Sequence, residues 1–193
     1  MFEGMEWLNE PPHWENGADL LTIETADATD FWRETHYGFT RDSGHFLYRE
    51  VDGDFVVTAT VLGGFTSLYD QAGLMIRSDE RTWLKAGVEY SDGALQLSTV
   101  ITNGTSDWSL SPLEAGTDKV TLRLTRQDNA VHVQYLKHPG LAGQQWVSLR
   151  LGYLQLNGPC QVGVTACSPE RGDLGVGFTD FSIRPSAGIN LHS

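Results

Sequence analysis

The chain reads as an all-β protein folded as a two-sheet sandwich, and three observations carry that expectation. Short runs alternate apolar and polar residues, turn signals separate them at close spacing, and no long segment shows a helical stripe. The 193 residues suit one domain at roughly 100–200 residues per domain. A chain of ~150 residues or more already buries about 70% of its unfolded surface, so neither disulfides nor metals are needed to hold it. One domain is expected over 1–185, followed by a loosely held polar tail at 186–193.

In chain order, strands are expected at Phe55 to Val61, Ala72 to Arg77, Trp83 to Tyr90, Leu95 to Thr102, Val120 to Thr125, Val131 to Leu136, Cys160 to Ala166 and Gly177 to Ile183. The turn signals between them are Asp52-Gly53, Asp92-Gly93, Asn103-Gly104, Asp128-Asn129, Asn157-Gly158-Pro159 and Arg171-Gly172-Asp173. Trp146 to Leu154 is the best helix candidate, but it is short and lacks an amphipathic stripe, so strand fits it equally.

Alternation assigns faces. Leu84, Ala86, Val88 and Tyr90 point to the core, leaving Trp83, Lys85, Gly87 and Glu89 outside. The same split sets Ala72, Leu74 and Ile76 against Gln71, Gly73, Met75 and Arg77, and Val120, Leu122 and Leu124 against Thr121, Arg123 and Thr125. With Leu95 to Thr102 and Gln161 to Ala166, these strands are expected to form one sheet. Its outer face is polar and carries Trp83.

A net charge of -12 disfavours nucleic acid and anionic membrane, because neutralising phosphate needs clustered Lys and Arg. Met1 to Glu10 lacks the basic and apolar regions of a signal peptide. Cys160 and Cys167 stand about 23 Å apart on an extended strand and on opposite faces, so no bridge is expected. Two free thiols suit a cytoplasmic location. The six histidines make no zinc pattern, and neither a calcium loop nor a phosphate loop is present, so no metal or cofactor is expected.

The runs Thr29-Asp30-Phe31-Trp32-Arg33-Glu34-Thr35-His36-Tyr37-Gly38-Phe39, Tyr69 to Arg77, Trp83 to Glu89 and Thr102 to Ser109 resemble the domain-of-unknown-function family 1349, the regulation-of-enolase-like proteins. The resemblance runs from Trp7 to Phe181. It implies a concanavalin A-like lectin/glucanase jelly-roll sandwich of two antiparallel sheets, and implies no established reaction.

Glucanases of that superfamily need two acids on one concave face, about 5–5.5 Å apart for retention or 6.5–9.5 Å for inversion. The alternating acids Glu50, Asp52 and Asp54 are expected on a hairpin tip, away from such a face. Glu89 stands alone on the polar face, with Lys85 four residues earlier expected to lower its pKa, which suits a general acid poorly. The expected function is therefore binding of a small carbohydrate or other polyhydroxylated ligand. Gln71, Lys85, Glu89, Ser98 and Arg123 are the expected polar contacts, with Asp70 and Asp107 beside their aromatic neighbours and His36 on a nearby loop. Trp32, Tyr69, Trp83 and Trp108 are the expected walls. The alternatives are an enzyme acting on a small sugar or sugar phosphate and a regulatory protein-binding module.

Overall fold

The computed structural model describes residues 1–189. The first seven-stranded sheet runs in the order β1 (Glu6–Leu8), β6 (His45–Val51), β15 (Cys160–Cys167), β8 (Gln71–Asp79), β9 (Thr82–Ser91), β10 (Ala94–Asn103) and β11 (Thr105–Pro112). The second runs β14 (Gln145–Tyr153), β13 (Ala130–Lys137), β12 (Lys119–Gln127), β7 (Phe55–Gly63), β16 (Gly175–Pro185), β3 (Leu21–Glu24) and β2 (His13–Asn16). A small third sheet pairs β4 (Phe31–Arg33) with β5 (Thr40–Asp42). Pairings throughout are antiparallel. The helix candidate at Trp146 to Leu154 is the edge strand β14.

Period-2 alternation makes this packing. Leu74 and Ile76 of β8, Leu84 and Ala86 of β9, and Val162 and Val164 of β15 meet Val57 and Ala59 of β7, Leu122 and Leu124 of β12, and Phe178 of β16 in one core between the sheets. Burial of these side chains at ~25 cal/mol per Å² of apolar surface is the main force holding the sheets together. Strands β15, β8, β9 and β10 are contiguous in the first sheet, as expected.

Strand β12 is not among them. It lies in the second sheet, so Arg123 projects from the far side of the sandwich, where its Nε donates to Gln134 Oε1 at 2.8 Å and its guanidinium lies 4.1 Å from the Trp146 ring centroid. Alternation reports which face a residue takes within its own strand, and says nothing about which sheet that strand joins. Asp52-Gly53 likewise is no hairpin tip: β6 and β7 belong to different sheets, and the turn carries the chain from one to the other. Cys160 and Cys167 are both free and buried, the first in the intersheet core and the second on the opposite face of β15. Of the tail, Ser186 N–H donates to the Asp54 carbonyl and Ile189 N–H to Gln127 Oε1, while residues 190–193 lie outside the described residues.

The outer face of the first sheet is covered in part by β4 and β5. Three polar ties hold this flap down. Arg77 donates from both terminal nitrogens to Asp42 at 2.8 Å each, Lys85 Nζ reaches Asp30 Oδ1 at 3.1 Å and the Phe31 carbonyl at 2.7 Å, and Arg33 N–H donates to Ser106 Oγ at 2.9 Å. Beneath it, Phe31, Phe46, Met75, Trp83, Val100 and Cys167 form a second apolar cluster.

Close strand approach beside this flap rests on glycine. Gly73 and Gly87 are direct partners, and a Cβ on Gly87 would run into the Ala72 carbonyl oxygen. Gly87→Ala is expected to cost about 1–3 kcal/mol by forcing β8 and β9 apart. A urea midpoint unchanged within error would show that the ladder absorbs the methyl group.

Candidate functional site

The flap leaves one end of the concave face open, and there a cavity of about 180 Å³ sinks between sheet and loops. That is more than ten times the room needed for one water molecule. Its floor is the first sheet: Gln71 from β8, Lys85 and Glu89 from β9, and Val100 from β10. Trp108 of β11 closes one side, and Tyr69, just before β8, closes another. Asp30, Trp32, Tyr37, Phe39 and Arg41 come from the flap and its 34–39 loop, and Pro169 and Glu170 from the segment after β15.

The aromatic walls meet nearly at right angles. Trp32 and Trp108 have ring centroids 6.5 Å apart at an interplanar angle of 89°, and Tyr69 and Trp108 stand 6.4 Å apart at 75°. Both are edge-to-face arrangements favoured by the aromatic quadrupole. The Tyr37 and Tyr69 hydroxyls are bonded at 2.9 Å, joining the flap loop to the opposite rim. This bond, reinforced by burial, pushes the Tyr69 pKa up to about 12. Tyr69 also has φ 65°, a left-handed conformation that costs a bulky residue about 1–3 kcal/mol and persists only where its surroundings impose it.

Asp70 imposes it. Its fully buried carboxylate accepts N–H bonds from Thr66 and Ser67, a 2.7 Å bond from the Ser168 hydroxyl, and bonds of 3.1 and 2.6 Å from Arg171 Nε and Nη2. Asp70 is thus saturated by the protein. It does not line the cavity, contrary to the expected ligand contact, and acts by fixing the backbone that presents Tyr69.

Lys85 is also buried and committed. Burial opposes its charge, but Asp30, Cys167 and Glu89 outweigh burial and hold its pKa above the ordinary lysine value. Asp30 Oδ1 accepts from the Phe31 N–H at 2.8 Å as well as from Lys85, with Gln71 Nε2 at 3.5 Å. Glu89 is only 3% exposed and faces the cavity. Burial pushes its pKa above the ordinary carboxylate range; Ser98, Lys85 and Trp108 pull the other way, and Asp30 adds to the rise. Lys85 does pull this carboxyl down, as expected, but the net shift is upward, because desolvation exceeds the attraction of a cation already held by Asp30.

The raised pKa has a stability consequence. A proton bound more tightly in the folded state stabilises below the unfolded value, here 4.5, and this contribution is lost as pH rises through the folded value. Glu89→Gln is therefore expected to raise the unfolding temperature at neutral pH, with the gain shrinking as pH falls from the folded value towards 4.5 and absent below it. Equal gains at pH 4 and pH 7 would contradict a raised pKa.

Of the other expected contacts, Trp32, Tyr69, Gln71, Lys85, Glu89 and Trp108 converge on the cavity. Ser98 lies just beside it, accepting from Trp108 Nε1 at 3.3 Å. His36 and Asp107 border a neighbouring groove on the outer side of Trp32 and Trp108, and Asp107 is paired with Arg150 at 2.6 Å. Trp83 sits on the expected face but is fully buried under Phe31, so it is a packing residue and no wall; its indole N–H has no hydrogen-bond partner among the described residues. Sequence reasoning missed Asp30, Phe39, Arg41, Val100, Pro169 and Glu170. Met75, Trp83 and Val100 held a signal: apolar residues at outward positions announce a covering element. Among the described residues, no group of three His, Cys, Asp or Glu side chains converges as a metal site.

Two antiparallel sheets packed face to face, with an aromatic-walled cavity on one outer face, define a jelly-roll β-sandwich protein. The chain belongs to the family described as protein of unknown function (DUF1349), whose model matches residues 7–186. It is 44% identical over 186 residues to the Saccharomyces cerevisiae protein named "Regulation of enolase protein 1", covering 96% of this chain and 92% of that one. The crystal structure of a functionally unknown protein from Saccharomyces cerevisiae superposes with a TM-score of 0.91 at 42% identity, over 97% of this chain and 99% of the other. A legume lectin-like domain from Entamoeba histolytica shares the fold at a TM-score of 0.62 and 8% identity, over 95% and 90% of the two chains.

Proposed function

We propose that this protein binds a small carbohydrate or other polyhydroxylated molecule in the cavity between the first sheet and the β4–β5 flap. The observation that carries the reading is the juxtaposition of perpendicular aromatic walls, Trp32, Trp108 and Tyr69, with a buried polar floor, Gln71, Lys85 and Glu89. Apolar faces with a few fixed polar groups are what orient a small ligand. The lectin-like fold agrees with this reading, and the two buried reduced thiols agree with a cytoplasmic location.

Calorimetry against a panel of mono- and oligosaccharides tests it. Binding is expected, and Trp108→Ala is expected to weaken it about tenfold, equivalent to about 1.4 kcal/mol. Absence of binding at millimolar sugar, or binding indifferent to Trp108→Ala, would overturn the proposal.

A second reading, an enzyme acting on a small sugar or sugar phosphate, is favoured by one observation: two carboxyl groups, Asp30 and Glu89, line the same cavity, and burial raises Glu89 towards the range of a general acid. Recovery of the bound sugar unchanged after prolonged incubation separates binding from catalysis.

A further inference from the structure

The cavity is unbalanced in charge. Three acidic side chains, Asp30, Glu89 and Glu170, line it against two basic ones, of which Lys85 is paired with Asp30. Lys85 Nζ is held by Asp30 Oδ1 and the Phe31 carbonyl, while Arg41 donates to the Ala28 carbonyl and lies 5.1 Å from the Phe39 ring centroid. Glu89 stands buried at the cavity floor with no salt-bridge partner among the described residues, the nearby Lys85 being bonded to Asp30. Beside it rise Trp108 and Tyr69, with Trp32 perpendicular to Trp108. Aromatic faces set at right angles around a carboxyl attract a compact cation twice, through the ring quadrupoles and through the anion, and both attractions strengthen where water is excluded.

We infer that the ligand carries a compact ammonium group, seated in the corner formed by Trp32, Tyr69 and Trp108 and facing Glu89. This rests on the cavity being the binding site, and deepens that reading from a polyhydroxylated molecule to an amine-bearing one, such as an amino sugar. The ammonium supplies the direct ion-pair partner that Glu89 does not have among the described residues.

The test is calorimetry with matched probes: glucosamine against glucose and N-acetylglucosamine, and tetramethylammonium chloride against sodium chloride at equal ionic strength. Glucosamine is expected to bind at least about tenfold more tightly than either neutral sugar, and tetramethylammonium to bind measurably. Glu89→Gln is expected to abolish the preference for the amine while keeping the fold, since it removes only the charge. Tyr69→Leu serves as the second variant, and is expected to weaken tetramethylammonium and glucosamine binding, with near-native circular dichroism confirming the fold. Glucose and glucosamine binding equally would overturn the ammonium inference and leave the carbohydrate reading standing. Tetramethylammonium binding without any neutral sugar would uphold the inference and sink the carbohydrate reading. No binding by either cationic probe, or an amine preference that survives Glu89→Gln, would overturn the inference.

Discussion

Replacing Lys85 by alanine is expected to lower the stability of the fold by about 3–5 kcal/mol, the range for removing one partner of a buried ion pair. The loss has two sources. Asp30, itself about nine-tenths buried, would keep a carboxylate with no cation near it. The Phe31 carbonyl would also lose the 2.7 Å bond that pins β4 to β9. Because the flap carries Trp32, Tyr37 and Phe39, sugar binding is expected to fall with stability. The double variant Lys85→Ala with Asp30→Asn removes both charges and is expected to recover part of the loss, so the two substitutions should be far from additive. Urea unfolding of the four proteins in the cycle measures this. A Lys85→Ala cost below about 1 kcal/mol, within the range of exposed pairs, would show that the pair is solvated and that the flap is held by other contacts.

Asp70→Ala is expected to be comparably damaging, at about 3–5 kcal/mol, through a different set of orphaned groups. The Thr66 and Ser67 amides, the Ser168 hydroxyl and the Arg171 guanidinium would all lose their common acceptor. The same carboxylate gives the protein an acid-sensitive element. Burial alone would raise its pKa, but Arg171, Ser67, Ser168 and Thr66 together hold it below the ordinary value of 3.8. A depressed folded pKa stabilises above the unfolded value, and that stabilisation disappears as pH falls through the folded one. Wild-type protein and Asp70→Asn should therefore differ most above about pH 4 and converge in stronger acid. A difference that persists unchanged down to pH 2 would mean that the carboxylate's charge is not what holds the segment. Asp70→Asn should also release the strained Tyr69 backbone and weaken ligand binding, although Asp70 touches no part of the cavity.

Strand positions and faces were legible because they follow from single-strand periodicity. Leu84, Ala86 and Val88 point inward for the same reason that Lys85 and Glu89 point outward, and no other part of the chain is needed to decide it. Sheet membership is a matter of long-range pairing, and there the reading of β12 failed. Arg123 alternates like Lys85, yet faces solvent on the other side of the molecule. The third layer was the other hidden feature. The strands of the flap, β4 and β5, are three residues each, too short for periodicity to register, and their hold on the sheet depends on Lys85, Arg77 and Ser106 from distant positions. Asp30 is invisible as a site residue for that reason, and Trp83 reads as a wall from its own strand although Phe31 covers it.

The difference between Asp70 and Glu89 shows what a carboxylate's sequence context cannot tell. Both lie near an aromatic residue and both are buried, but one is surrounded by donors and the other faces a cavity. Their pKa values move in opposite directions as a result. The residue held by donors shapes the site, and the residue with no salt-bridge partner among the described residues is the one available to a ligand.

Entry of a ligand into the aromatic cavity is read out by the six tryptophan indole N–H resonances during titration with glucosamine. Trp32 and Trp108, whose indoles donate to the Thr35 carbonyl and Ser98 Oγ, are expected to shift together and saturate. Trp146, on the opposite sheet, and Trp14, in a distant exposed strand, should stay fixed. Saturable shifts at Trp146 or Trp14 with Trp32 and Trp108 unmoved would place binding elsewhere and contradict it.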